Sequence, residues 1–132
     1  MSRKKMTVYF SKTHQWFDDA TKKVGLTAYA AEQLGEISFV DVEGIDGATL
    51  SQGSADSDPI DCTVESSKAV GDVYSPVSGT VTAVNSDLMD EPEKINEDPM
   101  GAWLFQIEPS NFDAEKGNLL DEAAYKAYCD SL

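Results

Sequence analysis

The chain has 132 residues, 41% of them hydrophobic, and its 24 acidic and 10 basic residues give a net charge of -14. This length predicts a single domain over residues 1–132, and no segment has the roughly 18 consecutive apolar residues that a membrane span requires. Nucleic acid is not expected as a partner, because a polyanion would be repelled and no stripe of Lys or Arg offsets the repulsion.

The strong acidity has two interpretations. It keeps the surface solvated and the protein soluble. Alternatively, it steers the chain towards basic surfaces on partner proteins, which would speed brief encounters and weaken with added salt. Steering suits a protein that must leave each of its partners quickly.

The termini and the cysteines bear on the cellular compartment. Residues 1–6, MSRKKM, are basic but are not followed by an apolar segment, so we expect no export signal or transit peptide there. Cys62 and Cys129 have neither the spacing of metal ligands nor the density of a secreted disulfide scaffold. We therefore expect free thiols in the cytoplasm, or in the mitochondrial matrix if the chain is a processed form.

The first quarter of the chain predicts three short strands and a helix. The strands are predicted at Thr7–Phe10, Gln15–Phe17 and Lys23–Leu26. Thr27 is a suitable N-cap for a short helix near residue 30, over Ala28–Leu34. Gly35 follows this helix at the position where a left-handed C-terminal cap is needed.

The next segment predicts a buried strand and a long loop. Ile37, Phe39 and Val40 place apolar side chains on both faces of a strand, which favours burial on both sides. Residues 44–59, GIDGATLSQGSADSDP, are rich in Gly, Ser and Asp, with only Ile45 and Leu50 as apolar anchors. This composition predicts a surface loop.

A hairpin is predicted over about residues 60–84, with Lys68 at its tip. Ile60, Cys62 and Val64 alternate with polar residues, as in a half-buried strand. A second β-prone run follows from 70 to 77. Lys68 falls between these runs among small residues, so we expect it to project into solvent, where an enzyme can reach it. The strand patterns by themselves also fit an ordinary solvated turn lysine.

The second half of the chain predicts alternating strands and helical turns. They are a strand at Thr80–Val84, a short helical turn within 85–99 that Pro92 interrupts and Pro99 closes, a final strand at Ala102–Ile107 and a terminal helix at about 121–130. Trp103 is expected in the core that the final strand closes. Asp121 is a plausible N-cap for the terminal helix, whose apolar residues have roughly helical spacing. Many short strands and two helices predict a mostly β fold with minor α.

No catalytic motif emerges from the residues. His14 is the only histidine, and a lone histidine beside Trp16 is more often a structural or a surface residue than a catalytic one. Ser66 and Ser67 lack the glycine-flanked elbow of a nucleophilic serine. Phosphate-binding glycine loops and clusters of metal ligands are also missing from the sequence.

Several stretches, in order along the chain, resemble the glycine cleavage system H-protein family. The most specific is ESSKAV, in which Glu65 stands three residues before Lys68, followed by PVSG. YFSKTHQWF, VGLTAYAAEQLGEISFVDV and VTAVNSDLMDEPEKINEDPMGAWLFQIEPSN are similar to other parts of that family. The resemblance spans roughly residues 8–128, and the chain departs from it in the longer loop at 44–59.

The resemblance implies a fold, a cofactor and partners. The fold is the barrel-sandwich hybrid of lipoyl and biotinyl carriers, and the cofactor is lipoate, joined by an amide to Lys68. Glu65 is expected to help a lipoate ligase or lipoyl transferase to recognise the hairpin. The implied function is that of a non-catalytic, monomeric carrier. It takes the aminomethyl group of glycine from the pyridoxal-phosphate enzyme glycine decarboxylase to an aminomethyltransferase, and dihydrolipoamide dehydrogenase reoxidises the arm.

Three alternatives remain at the level of sequence. A biotin carrier would have methionine on both sides of its lysine, where this chain has Ser67 and Ala69. An H-like protein that relays lipoyl groups, or carries a regulated lipoyl group outside glycine cleavage, would show the same attachment motif. A plain interaction domain with this fold would differ only in an unmodified Lys68.

Overall fold

The computed structural model describes residues 7–132, which contain nine strands and five helices. The strands are β1 (Val8–Phe10), β2 (Gln15–Asp18), β3 (Lys23–Leu26), β4 (Ile37–Asp41), β5 (Thr49–Leu50), β6 (Thr63–Ser66), β7 (Val70–Gly71), β8 (Gly79–Val84) and β9 (Phe105–Pro109). The helices are α1 (Ala28–Leu34), α2 (Asp87–Asp90), α3 (Lys94–Glu97), α4 (Phe112–Glu115) and α5 (Glu122–Asp130). The basic residues at 3–5, and the expectation that they form no targeting segment, lie outside the described residues.

The strands form two antiparallel sheets, which confirms the predicted mostly β fold with minor α. The larger sheet has the order β1-β2-β3-β9-β8-β5 and the smaller one the order β4-β6-β7. A shared core joins them, with Val24 and Phe105 from the larger sheet and Val40 and Val64 from the smaller. Each such buried side chain contributes about 1.5–3 kcal/mol, so the core holds the small sheet in place.

The predicted helix caps are present. The Thr27 hydroxyl accepts a hydrogen bond from the backbone N–H of Ala30 at 3.2 Å and so starts α1. The Asp121 carboxylate accepts one from the N–H of Ala124 at 2.7 Å and so starts α5. Pro92 separates α2 from α3, as the sequence predicts.

The expectation that β4 is buried on both faces is wrong. Ile37 and Val40 are buried, but the Phe39 side chain is 48% exposed. The register of β4 on β6 shifts between Ile37 and Phe39, and from Phe39 onwards the strand alternates between an inner and an outer face. The outer face is only partly covered in the described part of the chain, so about half of the Phe39 side chain remains exposed.

The predicted surface loop at 44–59 is only partly correct. A 3-10 turn at Glu43–Ile45 buries the Ile45 side chain, and Thr49–Leu50 forms the edge strand β5 on β8. The segment from 53 to 59 has no helix or strand and is mostly exposed. Ile45 and Leu50, the two apolar anchors that the sequence shows in this segment, are the residues through which it joins the core.

Three other details differ from the expectations. Trp103 does not lie in the main core: it is half-buried in a second cluster with Phe10 and Trp16, and Lys23 Nζ lies 4.8 Å from its ring centre. The second strand of the hairpin, β7, is only two residues long. The sequence does not predict the helix α4 or the 3-10 turn at Lys116–Asn118, because both are too short to show a helical period.

Candidate functional site

The tip of the hairpin between β6 and β7 is a tight connection. Val64 pairs with Gly71 and Glu65 with Val70 in the antiparallel ladder. The last ladder bond is the N–H of Ser66 donating to the carbonyl of Ala69 at 2.9 Å. Lys68 therefore occupies the connection itself, as the sequence predicts, and its side chain is exposed.

The hydroxyl of Ser66 holds the tip in shape. It accepts hydrogen bonds from the backbone N–H groups of Lys68 at 3.3 Å and Ala69 at 3.1 Å. These bonds satisfy two donors that a hairpin tip would otherwise leave to water. At the level of sequence, Ser66 counts only as one of the small residues around Lys68. The signal that reveals its role is a serine two residues before a turn residue, since serine hydroxyls commonly close such turns.

Lys68 differs from the other lysines in its electrostatic surroundings. Of the seven lysines within residues 7–132, four form ion pairs with a carboxylate three or four residues away. Lys12 and Lys23 lie over the rings of Tyr128 and Trp103. No such partner within the described residues contacts Lys68. Its amine is thus available to a reagent or an enzyme without the loss of an ion pair or a cation–π contact.

Gly35 provides the surface on which the Lys68 side chain rests. A Cβ atom at position 35 would lie 2.9 Å from Cε and 3.5 Å from Nζ of Lys68. The backbone of Gly35 has φ +86° and ψ -155°. The positive φ agrees with the prediction, but the ψ is extended and not left-handed helical. Glycine is almost the only residue that adopts this combination.

Asn96 on α3 fixes the backbone around Gly35. Its Nδ2 donates to the carbonyl of Gly35 at 2.9 Å, and its Oδ1 accepts from the N–H of Ile37 at 2.8 Å. One amide side chain therefore satisfies two backbone groups where the chain passes from α1 to β4. The sequence offers no signal for this role, since Asn96 stands in an unremarkable polar segment far from the hairpin.

The small sheet presents two different faces beside the tip. Cross-strand partners point to the same face, so Val40, Val64 and Gly71 form one row and Phe39, Glu65 and Val70 form the other. The first row is packed inwards, with Leu34 of α1 against Gly71. Glu65 is half-buried in the second row. It forms no ion pair with Lys68 in the described structure, so the two predicted site residues are close in sequence but not linked by an ion pair.

A groove of about 170 Å³ runs along the inner side of the hairpin. It lies between α1, the β1–β2 turn and the segment after β7, with Leu34 on the side of α1 and Gly71 and Asp72 on the hairpin side. Two larger clefts, of about 400 and 450 Å³, contain no residue of the hairpin. Among the described residues, no three potential metal ligands lie together, and no helix has the length and hydrophobicity to cross a membrane.

His14 takes part in a partly buried network of hydrogen bonds and stacked rings that the sequence does not predict. Its Nδ1 lies 2.7 Å from the hydroxyl of Tyr125, which lies 2.7 Å from the hydroxyl of Thr27. The imidazole also stacks on Tyr29, with 4.6 Å between ring centres. This network ties the β1–β2 turn to α1 and α5. Partial burial lowers the pKa of His14 below its ordinary value of 6.5.

The lowered pKa of His14 predicts a pH-dependent stability. As the pH falls below about 6.5, the unfolded chain binds a proton on this histidine more readily than the folded chain does, so the free energy of unfolding decreases. The melting temperature is expected to fall between about pH 7.5 and pH 5.5, where carboxylates titrate little. In His14→Asn this slope should flatten. Asparagine is the suitable replacement because residue 14 has a φ of 72°. An equal slope in the two proteins would show that groups other than His14 cause the pH dependence of the melting temperature.

The two cysteines are free thiols in different surroundings. Burial, together with Asp41 and Asp61, raises the pKa of Cys62 to about 12, so it stays protonated at neutral pH. Cys129 is half-buried against the cluster that contains Tyr125. Neither lies at the tip of the hairpin.

Comparison with known proteins gives a consistent result. The family model described as glycine cleavage H-protein matches residues 8–132. A probable glycine cleavage system H protein of Pyrococcus horikoshii is 43% identical, with 95% of this chain and 91% of the relative covered. The glycine cleavage system H protein of Escherichia coli is also 43% identical, with 96% of each chain covered. The crystal structure of a glycine cleavage system H protein from Mycobacterium marinum superimposes with a TM-score of 0.77 at 32% identity, and covers 96% of this chain and 98% of the other.

Proposed function

The chain belongs to the glycine cleavage H-protein family, and we propose that Lys68 is the residue through which it carries lipoate. The family is a lipoyl-bearing carrier component of the glycine cleavage system, and that role applies to this chain. The observation that carries the assignment to Lys68 is its position: it is exposed at the tip of a closed hairpin and has neither an ionic nor an aromatic partner among residues 7–132.

The residues around Lys68 suit an amide-linked group. The stem of the side chain rests on a glycine, so a longer arm meets no side chain at position 35. Ser66 holds the backbone of the tip while the amine stays accessible. Amide formation removes the positive charge of Lys68, and no carboxylate of the described chain loses an ion pair as a result. The bound lipoyl group would supply thiol and disulfide exchange chemistry.

Lipoylation itself tests the proposal. We expect peptide mapping after exposure to an active lipoate ligase to place one lipoyl group on the peptide that contains Lys68. A lipoyl group on another lysine, or an unmodified chain, would contradict the assignment.

We further propose that the chain turns over no substrate and serves the other components of the system. Glycine decarboxylase would load the aminomethyl group, aminomethyltransferase would remove it, and dihydrolipoamide dehydrogenase would reoxidise the arm. Tethering presents the arm to a docked enzyme at roughly millimolar effective concentration. The net charge of -14 supports rapid encounter with basic partner surfaces and opposes self-association. We propose a monomer that works in the cytoplasm.

We propose that the carboxylate of Glu65 is recognised by the enzyme that attaches lipoate. The residue is half-buried at the end of β6, one position before the turn, and is not used in an ion pair of the described residues. Glu65→Gln keeps the shape and removes the charge. It is expected to lower kcat/KM for lipoylation several-fold at an unchanged melting temperature, because one charge-assisted contact contributes roughly 1 kcal/mol or more.

The matched control for that measurement is Glu108→Gln. Glu108 is an exposed strand carboxylate on β9, in the other sheet. If both variants are lipoylated at the rate of the wild type, Glu65 is an ordinary strand carboxylate with no part in recognition.

A further inference from the structure

We propose that Phe39, Glu65 and Val70, which we call the outer row, form the docking surface for the enzyme that acylates Lys68. The inference rests on the proposed function of Lys68 and adds to it a surface and the kind of partner that fits it. That partner is a protein with an apolar contact point within a basic rim, which carries an activated acyl group.

The exposure of the outer row is unusual for this chain. Within residues 7–132, only four large hydrophobic side chains are strongly exposed: Phe39 (48%), Val70 (66%), Met100 and Leu132. Phe39 and Val70 are the two that lie in one sheet, on either side of the Glu65 to which both are paired. Single exposed hydrophobic residues are normal on protein surfaces and need no explanation. Here two of them flank a candidate recognition residue and form a patch, which calls for one.

The opposite face of the same two strands is buried in the core. Val40 and Val64 alternate with Phe39 and Glu65 along β4 and β6 and are completely buried. The alternation thus places one apolar row in the core and leaves a second apolar pair in water. A phenyl ring on a sheet face that is only partly covered gains little stability for the chain itself, so its contribution is expected in a complex.

The length of an unmodified lysine side chain indicates which enzyme docks at the outer row. In the acylation step the Nζ–C bond forms, the bond from the acyl carbon to the leaving group of an activated donor breaks, and Nζ loses a proton to solvent or to a base. An unmodified lysine places Nζ only about 6 Å from its Cα. The acylating enzyme must therefore contact the tip, and Val70 stands two residues from Lys68. A partner that meets the completed, longer arm can dock farther away.

The charges around the outer row favour a basic partner. Asp41 is exposed on the same face, two residues beyond Phe39. Glu65 lies between Phe39 and Val70, so the apolar pair has one carboxylate at its centre and a second beside Phe39. A second copy of this acidic chain would be repelled, whereas a protein with a basic rim would be attracted.

The test is the kinetics of lipoylation of the full, unmodified chain by a purified lipoate ligase with ATP and lipoate. In the double variant Phe39→Thr/Val70→Thr, threonine keeps the strand propensity and removes the apolar contact. We expect kcat/KM to fall about tenfold, mainly through a higher KM for the carrier, because the change weakens docking and leaves the reacting groups in place. The single variant Val70→Thr, which is nearly isosteric, should show a smaller loss of the same kind.

Met100→Thr is the matched control, because it removes a hydrophobic residue whose exposure of 44% is close to that of Phe39 and which is distant in sequence from the hairpin. It should be lipoylated like the wild type. Acetylation of Lys68 by a small reagent should be equal in all variants, which separates docking from access to the amine. A kcat/KM of the double variant within twofold of the control overturns the proposal. So does a defect confined to loading of the already lipoylated variant by glycine decarboxylase. If the wild type accepts no lipoate, it is the function proposed for Lys68 that fails.

Discussion

Replacing Lys68 with arginine is expected to abolish lipoylation completely and to leave the fold intact. A guanidinium does not form the amide, because its nitrogens are delocalised, charged and poor nucleophiles at neutral pH. The side chain is exposed and forms no ion pair among the described residues, so the substitution removes no buried contact. Intact mass after exposure to a lipoate ligase should show no added lipoyl group, and transfer of an aminomethyl group from glycine decarboxylase should fall to background.

Lys94→Arg is the control for this experiment. Lys94 is also an exposed lysine on a short element, but it forms an ion pair with Glu91 at 3.2 Å that an arginine can keep. This variant should be lipoylated at the rate of the wild type, and both variants should melt within a few degrees of it. A lipoyl group on Lys68→Arg would show that another lysine serves as the attachment site.

Gly35→Ala is expected to lower the stability of the protein far more than Lys68→Arg does. Its φ of +86° and ψ of -155° belong to a region that only glycine adopts without strain. The new Cβ would also approach Lys68 Cε at 2.9 Å, but that flexible side chain can move away at little cost. The backbone strain therefore dominates. We expect the free energy of unfolding to fall by about 2 kcal/mol and the melting temperature by about 6–10 °C.

Gly117→Ala provides the matched glycine substitution. A Cβ at position 117 would meet no atom within 4 Å, and the residue does not have a positive φ. Alanine there should be neutral or slightly stabilising, because it restricts the unfolded chain. Thermal unfolding of the two variants separates a general effect of adding a methyl group from the strain at Gly35. Equal melting temperatures would show that the segment between α1 and β4 relaxes around the new side chain.

Local patterns predicted most elements of the fold because their physical causes are local. Thr27 and Asp121 cap the helices that follow them through their own side chains. The alternation of Cys62 and Val64 with polar residues matches their burial. Lys68 at the tip followed from the two β-prone runs around it. The prediction that Phe39 is buried was wrong because a sequence shows that a strand has apolar residues on both faces, but not which of the two faces is covered.

The sequence by itself determined the family motif, the mostly β fold and the position of Lys68 in a turn, because each depends on residues that are close along the chain. Only the tertiary structure decided what surrounds that lysine. Gly35 and Asn96 are 33 and 28 residues away in sequence, and they meet at the hairpin because the shared core packs α1 and α3 beside the small sheet. The pairing of β4 with β6 likewise brings Phe39 next to Glu65, since strand register is set by packing of the buried faces and not by local propensity.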